Sequence, residues 1–112
     1  MASTLYDAQQ TAVAELTSLI DIAPDGIVTK ALYESPGVRL VLFAMDAGQC
    51  LTDHSASKPA LVQVLDGRIV FQVDGAKHEL GPSGWVAMPA GALHAVDAIE
   101  PSRFLLTLVK TS

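Results

Sequence analysis

The chain has a single cysteine, no cluster of basic residues and no long hydrophobic run, and each shortage excludes a class of protein. Cys50 alone cannot close an intrachain disulfide or build a cysteine-based zinc cluster, which fits a reducing compartment. Seven Lys and Arg against twelve Asp and Glu leave a formal net charge of -5. Without basic clustering there is no electrostatic footprint for a phosphate backbone, so nucleic acid is not an expected partner. Charge, Gly or Pro interrupts every apolar stretch well short of the roughly 20 residues a transmembrane helix needs, so no membrane partner is expected either. The N-terminus has no basic region leading into an apolar run and carries Asp7 and Glu15. A cytoplasmic address is therefore the expectation. Nothing resembles a phosphate-binding Gly loop, a Ser/His/Asp hydrolase arrangement or paired catalytic carboxylates.

What is present is half hydrophobic in 112 residues, enough for one core and too little for two independent domains. Residues 1–26 read as an N-terminal extension, partly helical. Leu5, Ala8, Ala12, Leu16 and Leu19 recur at steps of three and four, with Ser3 or Thr4 available as N-cap. Such a segment packs on the outside of a domain or frays. Pro24-Asp25-Gly26 is a turn signal, and after it the pattern becomes strand-like. The spacing predicts strands at Ile27 to Tyr33, Val38 to Met45, Cys50 to His54, Ala60 to Leu65 and Arg68 to Val73. Four more follow at Ala76 to Leu80, Trp85 to Met88, His94 to Ala98 and Arg103 to Lys110. That spacing fits a sandwich or barrel, here one domain over residues 27–112. Asp66-Gly67 and Asp74-Gly75 are favoured in tight hairpins, which predicts a meander through them. Val38 to Met45 and Phe104 to Val109 are apolar on both faces. A second subunit is the expected cover, giving a homodimer, and the alternative is cover by the N-terminal segment.

Two motifs carry chemistry. Gly48, five residues, His54 and then Gly67 form the first, with Val64-Leu65-Asp66 leading into Gly67; Pro89, Gly91 and His94 form the second. The pattern resembles the cupin family over roughly Val38 to Val109, and in particular small bacterial single-domain cupins with a degenerate first motif. The resemblance implies an all-β fold, an antiparallel jelly-roll barrel also called a double-stranded β-helix, here with a short N-terminal helical segment. It also implies dimers that pair through sheet faces or exchanged terminal strands. Cupins carry a second His and a Glu in the first motif, where this chain has Ala56 and Ala60. In the second motif Ser83 stands for a Gly and Ala98 for an Asn.

Residues at i and i+2 of a strand share a face, so a His-x-His pair with a carboxylate and a third His can close a site for a first-row divalent metal. This chain offers His54 and His94 alone, a set that holds Fe, Mn, Ni, Cu or Zn weakly unless water or substrate completes the shell. On a regular strand Thr52 and Cys50 share the face of His54, at about 7 and about 14 Å along it, too far to replace a ligand. Asp53 then faces away, and a β-bulge would reverse this. The expected pocket is lined by His54, His94, Thr52, Cys50 and Trp85. Two core-lining histidines left over from a metal site are the alternative. His78 reads as a strand residue in solvent or half-buried, and Cys50 as a small pocket-lining or buried thiol. Gln63, alone among aliphatics, calls for a partner in a pocket or interface.

Three functional classes follow. One is a barrel that binds a small organic molecule, the imidazoles acting as hydrogen-bonding or acid/base groups. Another is a metal-dependent dioxygenase, isomerase or lyase acting on a small oxygenated substrate. The third is a structural or regulatory partner protein whose pocket is filled by its own side chains.

Overall fold

A computed structural model describes residues 3–110; the outermost residues of the expected extension and barrel lie outside this range. Nine strands follow the predicted runs to within a residue or so. They are β1 (Ile27–Glu34), β2 (Val38–Met45), β3 (Cys50–His54), β4 (Ala60–Asp66), β5 (Ile69–Val73), β6 (Ala76–Leu80), β7 (Trp85–Met88), β8 (His94–Ala98) and β9 (Ser102–Val109). Two antiparallel sheets face one another, one ordered β1-β2-β9-β4-β7 and the other β3-β8-β5-β6. This is a jelly-roll arrangement.

The sheets enclose a core of Met45, Val62, Val64, Ile69, Phe71, Met88, Val96 and Phe104, with alternating residues of each strand turned inward. The predicted meander forms only in its second half. Asp74 and Gly75 both have positive φ and close the β5–β6 hairpin, as a two-residue turn with the strands' own twist requires. Asp66-Gly67 instead carries the chain from one sheet to the other. β4 pairs with β7 and β9, and β5 with β6 and β8. Turn dipeptides report a sharp reversal, whereas the choice of partner depends on burial across the sandwich.

The expected N-terminal helix is reduced to one 3-10 turn, Leu16–Ser18. The rest of the segment runs against the barrel: Leu5 and Tyr6 donate backbone hydrogen bonds to Ala31 O and Leu32 O at the β1 edge. There Leu32 is the extra residue of a bulge between Ala31 and Tyr33. Tyr6, Leu16, Leu19, Ile20 and Ile22 then cover Leu32, Leu42 and Ala44 on the outer side of the five-stranded sheet. Apolar residues at helical steps are equally able to cap a flat sheet one by one, and tertiary burial overrides a weak helical preference. Part of the two-sided apolarity of β2 is thus accounted for within one chain. Arg103 secures the cover, donating to Ile20 O and pairing with Asp66 at 2.9 Å. Among the described residues no helix is long and apolar enough to cross a membrane.

Candidate functional site

His54 and His94 stand directly opposite one another on paired strands β3 and β8. Their rings meet edge to face with centroids 5.4 Å apart. Three local features hold them there. Gly91, with φ +84, donates its N–H to Ala56 O at 2.8 Å, joining the loop before His94 to the loop after His54. Asp74 accepts a hydrogen bond from Leu93 N–H, fixing the residue just before His94. The His94 ring lies nearly parallel to Phe71, 5.8 Å between centroids, and in the tautomer with the proton on Nδ1 it donates to Ala92 O at 3.4 Å. That contact is long, and Nε2 is left as an acceptor. His54 is exposed, with no side-chain hydrogen bond among the described residues, and His94 is half-buried.

Behind the pair lies a cavity of about 390 Å³. Phe43, Phe71, Phe104, Val62, Val96, Leu51 and Leu106 make its apolar walls, while Thr52, Asp53, His54 and His94 supply the polar groups. Phe43 and Phe104 are cross-strand partners stacked 4.8 Å apart at 8°. The cavity is thus an aromatic slot with a polar mouth.

Of the expected lining residues, His54, His94 and Thr52 take part, and Cys50 and Trp85 do not. β3 contains one extra residue between Leu51, opposite Val96, and His54, opposite His94. This bulge keeps His54 turned inward, turns Leu51 inward as well and leaves Cys50 exposed across from exposed Asp97. It also brings Asp53 to the cavity, against the expectation for a regular strand. Trp85 pairs with Gln63 on the outer face of the five-stranded sheet and is 62% exposed. Gln63 is likewise exposed, so its amide is open to solvent rather than buried. His78 is exposed on β6. The reasoning from sequence missed the three phenylalanines as cavity walls, although their strand alternation was the available signal.

A resident metal does not fit this donor set. Ala60, at the position of the family's Glu, is 2% exposed. No group of three His, Cys, Asp or Glu able to hold a metal ion occurs among the described residues. Two imidazoles fall short of the three protein ligands that catalytic sites ordinarily supply.

Comparison with solved structures gives the same architecture. A conserved protein of unknown function from Streptococcus pyogenes superposes with a TM-score of 0.84 at 27% identity, over 98% of this chain and 96% of that one. A cupin superfamily protein from Desulfitobacterium hafniense gives 0.83 at 24%, over 91% and 94%. A cupin 2 conserved barrel domain protein from Leptotrichia buccalis gives 0.79 at 32%, over 84% of this chain and 46% of that one. No protein-family model matches the sequence, and no curated protein matches it either. By its fold, its motif residues and these neighbours, the chain is a cupin.

Proposed function

We propose that this chain is a binding protein that holds a small organic molecule in its barrel. The apolar body lies against Phe43, Phe71 and Phe104, and a polar group meets His54 and His94. The cavity carries the reading: about 390 Å³ with apolar walls and a few convergent polar groups is the usual form of a small-molecule site. A cavity left open is also what a purely structural barrel, filled by its own side chains, would lack. Any divalent ion would be held weakly, by two imidazoles. The competing reading, a metal-dependent dioxygenase, isomerase or lyase on a small oxygenated substrate, is favoured by the two histidines retained at motif spacing. A cytoplasmic address belongs to the same proposal. So does a homodimer, formed through the part of the outer sheet face near Leu61 and Trp85.

Elemental analysis of protein purified without chelator, and of apoprotein refilled with Fe, Mn, Ni, Cu or Zn, separates the two readings. The expected result is metal well below one equivalent in every case. Near-stoichiometric metal that disappears in a His54→Ala/His94→Ala variant would replace the binding protein with the enzyme.

A further inference from the structure

Ala60 occupies the position where the cupin pattern has a glutamate, and the residues level with it across the five-stranded sheet are Arg39, Leu108 and Met88. The β2–β9 register is unbroken from Val38 to Met45. Alternation therefore puts Arg39 on the side of Phe43 and Met45, which face the barrel, and opposite Leu42 and Ala44. Leu108, its direct partner, packs against the barrel core. This level lies one step beyond Val41 and Leu106, and Leu106 lines the cavity. It is also the His54 end of the barrel: the loop after His54 leads to Ala60, and Pro59 O accepts a hydrogen bond from Val109 N–H at 3.1 Å.

Arg39 forms no close ion pair among the described residues, although its charge helps to lower the Glu34 carboxyl. Its Nε is buried and makes no hydrogen bond among the described residues. Glu34, its cross-strand neighbour on β1, is engaged by Lys110 at 2.6 Å. Arg39 as a whole is half-buried, and it is this one buried N–H that lacks a partner, an arrangement that is unfavourable unless a ligand or water supplies an acceptor. Where a metal-binding cupin presents an anionic ligand, this chain presents a methyl group and, two strands away, a guanidinium. The glutamate's negative charge is thus missing from that position.

We propose that Arg39 is an anion-recognition group at the rim of the barrel, so that the ligand is a small organic carboxylate with a flat apolar body. This rests on the barrel-ligand reading above and adds the ligand's chemical class. The planar fork of a guanidinium matches a carboxylate with two parallel hydrogen bonds, a geometry that Lys does not reproduce. Two interstrand spacings, about 10 Å in all, separate Arg39 from Ala60, a gap that an extended Arg side chain and a carboxylate span together. Asp53 opposes an anion from the β3 side of the mouth, but it is exposed and water screens it.

The test is an NMR titration of the whole chain with benzoate and, separately, benzamide, which has the same ring without the charge. Benzoate is expected to shift the Arg39 Nε–H resonance together with cavity residues such as Leu51 and Val96, and to bind at least about tenfold more tightly than benzamide. Arg39→Met keeps the apolar stem and removes the buried unpaired donor, so it folds; it is expected to abolish the preference and leave benzamide binding unchanged. If both compounds move the cavity residues equally, or the preference for benzoate survives Arg39→Met, the role of Arg39 is overturned while the barrel-ligand reading stands. If neither compound moves the cavity residues, the barrel-ligand reading fails and this inference with it.

Discussion

Gly67 and Ser102 show how a motif residue can belong to the fold. Gly67 has φ +83, and a Cβ there would overlap Ser102 Oγ and Pro101 O. The Ser102 side chain is fully buried; its hydroxyl accepts from Arg68 N–H at 2.9 Å and lies 2.7 Å from Glu100 O, to which it donates. These contacts hold the passage from one sheet to the other against the start of β9. Ser102→Ala leaves the Arg68 amide without its side-chain partner, and the expected loss is about 1–3 kcal/mol. Gly67→Ala combines a left-handed conformation with a clash against backbone and should cost more than Ser102→Ala. Urea denaturation of the two variants checks the order. Gly91 contrasts with this: its φ is +84, but no atom lies within 4 Å of a Cβ placed there, so only the backbone preference opposes substitution.

At the scale of elements, the strands were legible and their partners were not. Pro, Gly and Asp interrupt the chain wherever a β-strand must end, which is why nine runs could be drawn from composition alone. The same signals cannot say that β4 and β5 lie in different sheets, because that depends on which faces become buried together. The β3 bulge was likewise invisible, since one additional residue in Cys50–His54 leaves no mark on composition. It decides that Leu51 and Asp53 reach the cavity and Cys50 does not. The histidine pair was legible because motif spacing places both residues at facing strand ends, whichever way the bulge turns their neighbours. Ends of elements also carry the one clear electrostatic effect. Lys110, just past β9, donates a hydrogen bond to Glu34 at the end of β1 and holds that carboxyl below its ordinary value of 4.5, first through the bond and then through charge. A folded-state value lowered in this way contributes stability above pH 4.5, and the contribution is lost as pH falls through the lowered value. Lys110→Met is expected to flatten that part of the acid limb slightly, the group being solvent-exposed. Urea midpoints of the two proteins, compared from neutral pH to below 4.5, measure it; parallel curves would remove the assignment.

Over the whole molecule, the fold and the candidate site share the apolar cavity walls, and only the polar mouth stands apart from the core. The core that joins the sheets runs through Val62, Val64, Ile69, Phe71 and Phe104, each no more than 2% exposed. The outer cluster beneath the N-terminal segment is separate from it. His54 and His94 belong to neither cluster: one is exposed, the other half-buried, and His94 stacks on the core ring of Phe71. Replacing both by Ala removes that stack and enlarges a mouth already open to water, so the expected stability loss is about 1 kcal/mol. Phe104→Ala acts on the same cavity from the inside. It removes the ring stacked on Phe43 and adds a void to space already empty, so about 3–5 kcal/mol is expected. Both variants should lose ligand binding, the double His variant from a folded barrel and Phe104→Ala from a weakened one. Guanidinium denaturation read by circular dichroism distinguishes the two. A double His variant as unstable as Phe104→Ala would make the histidines structural members of the core and would remove them as groups kept for a ligand.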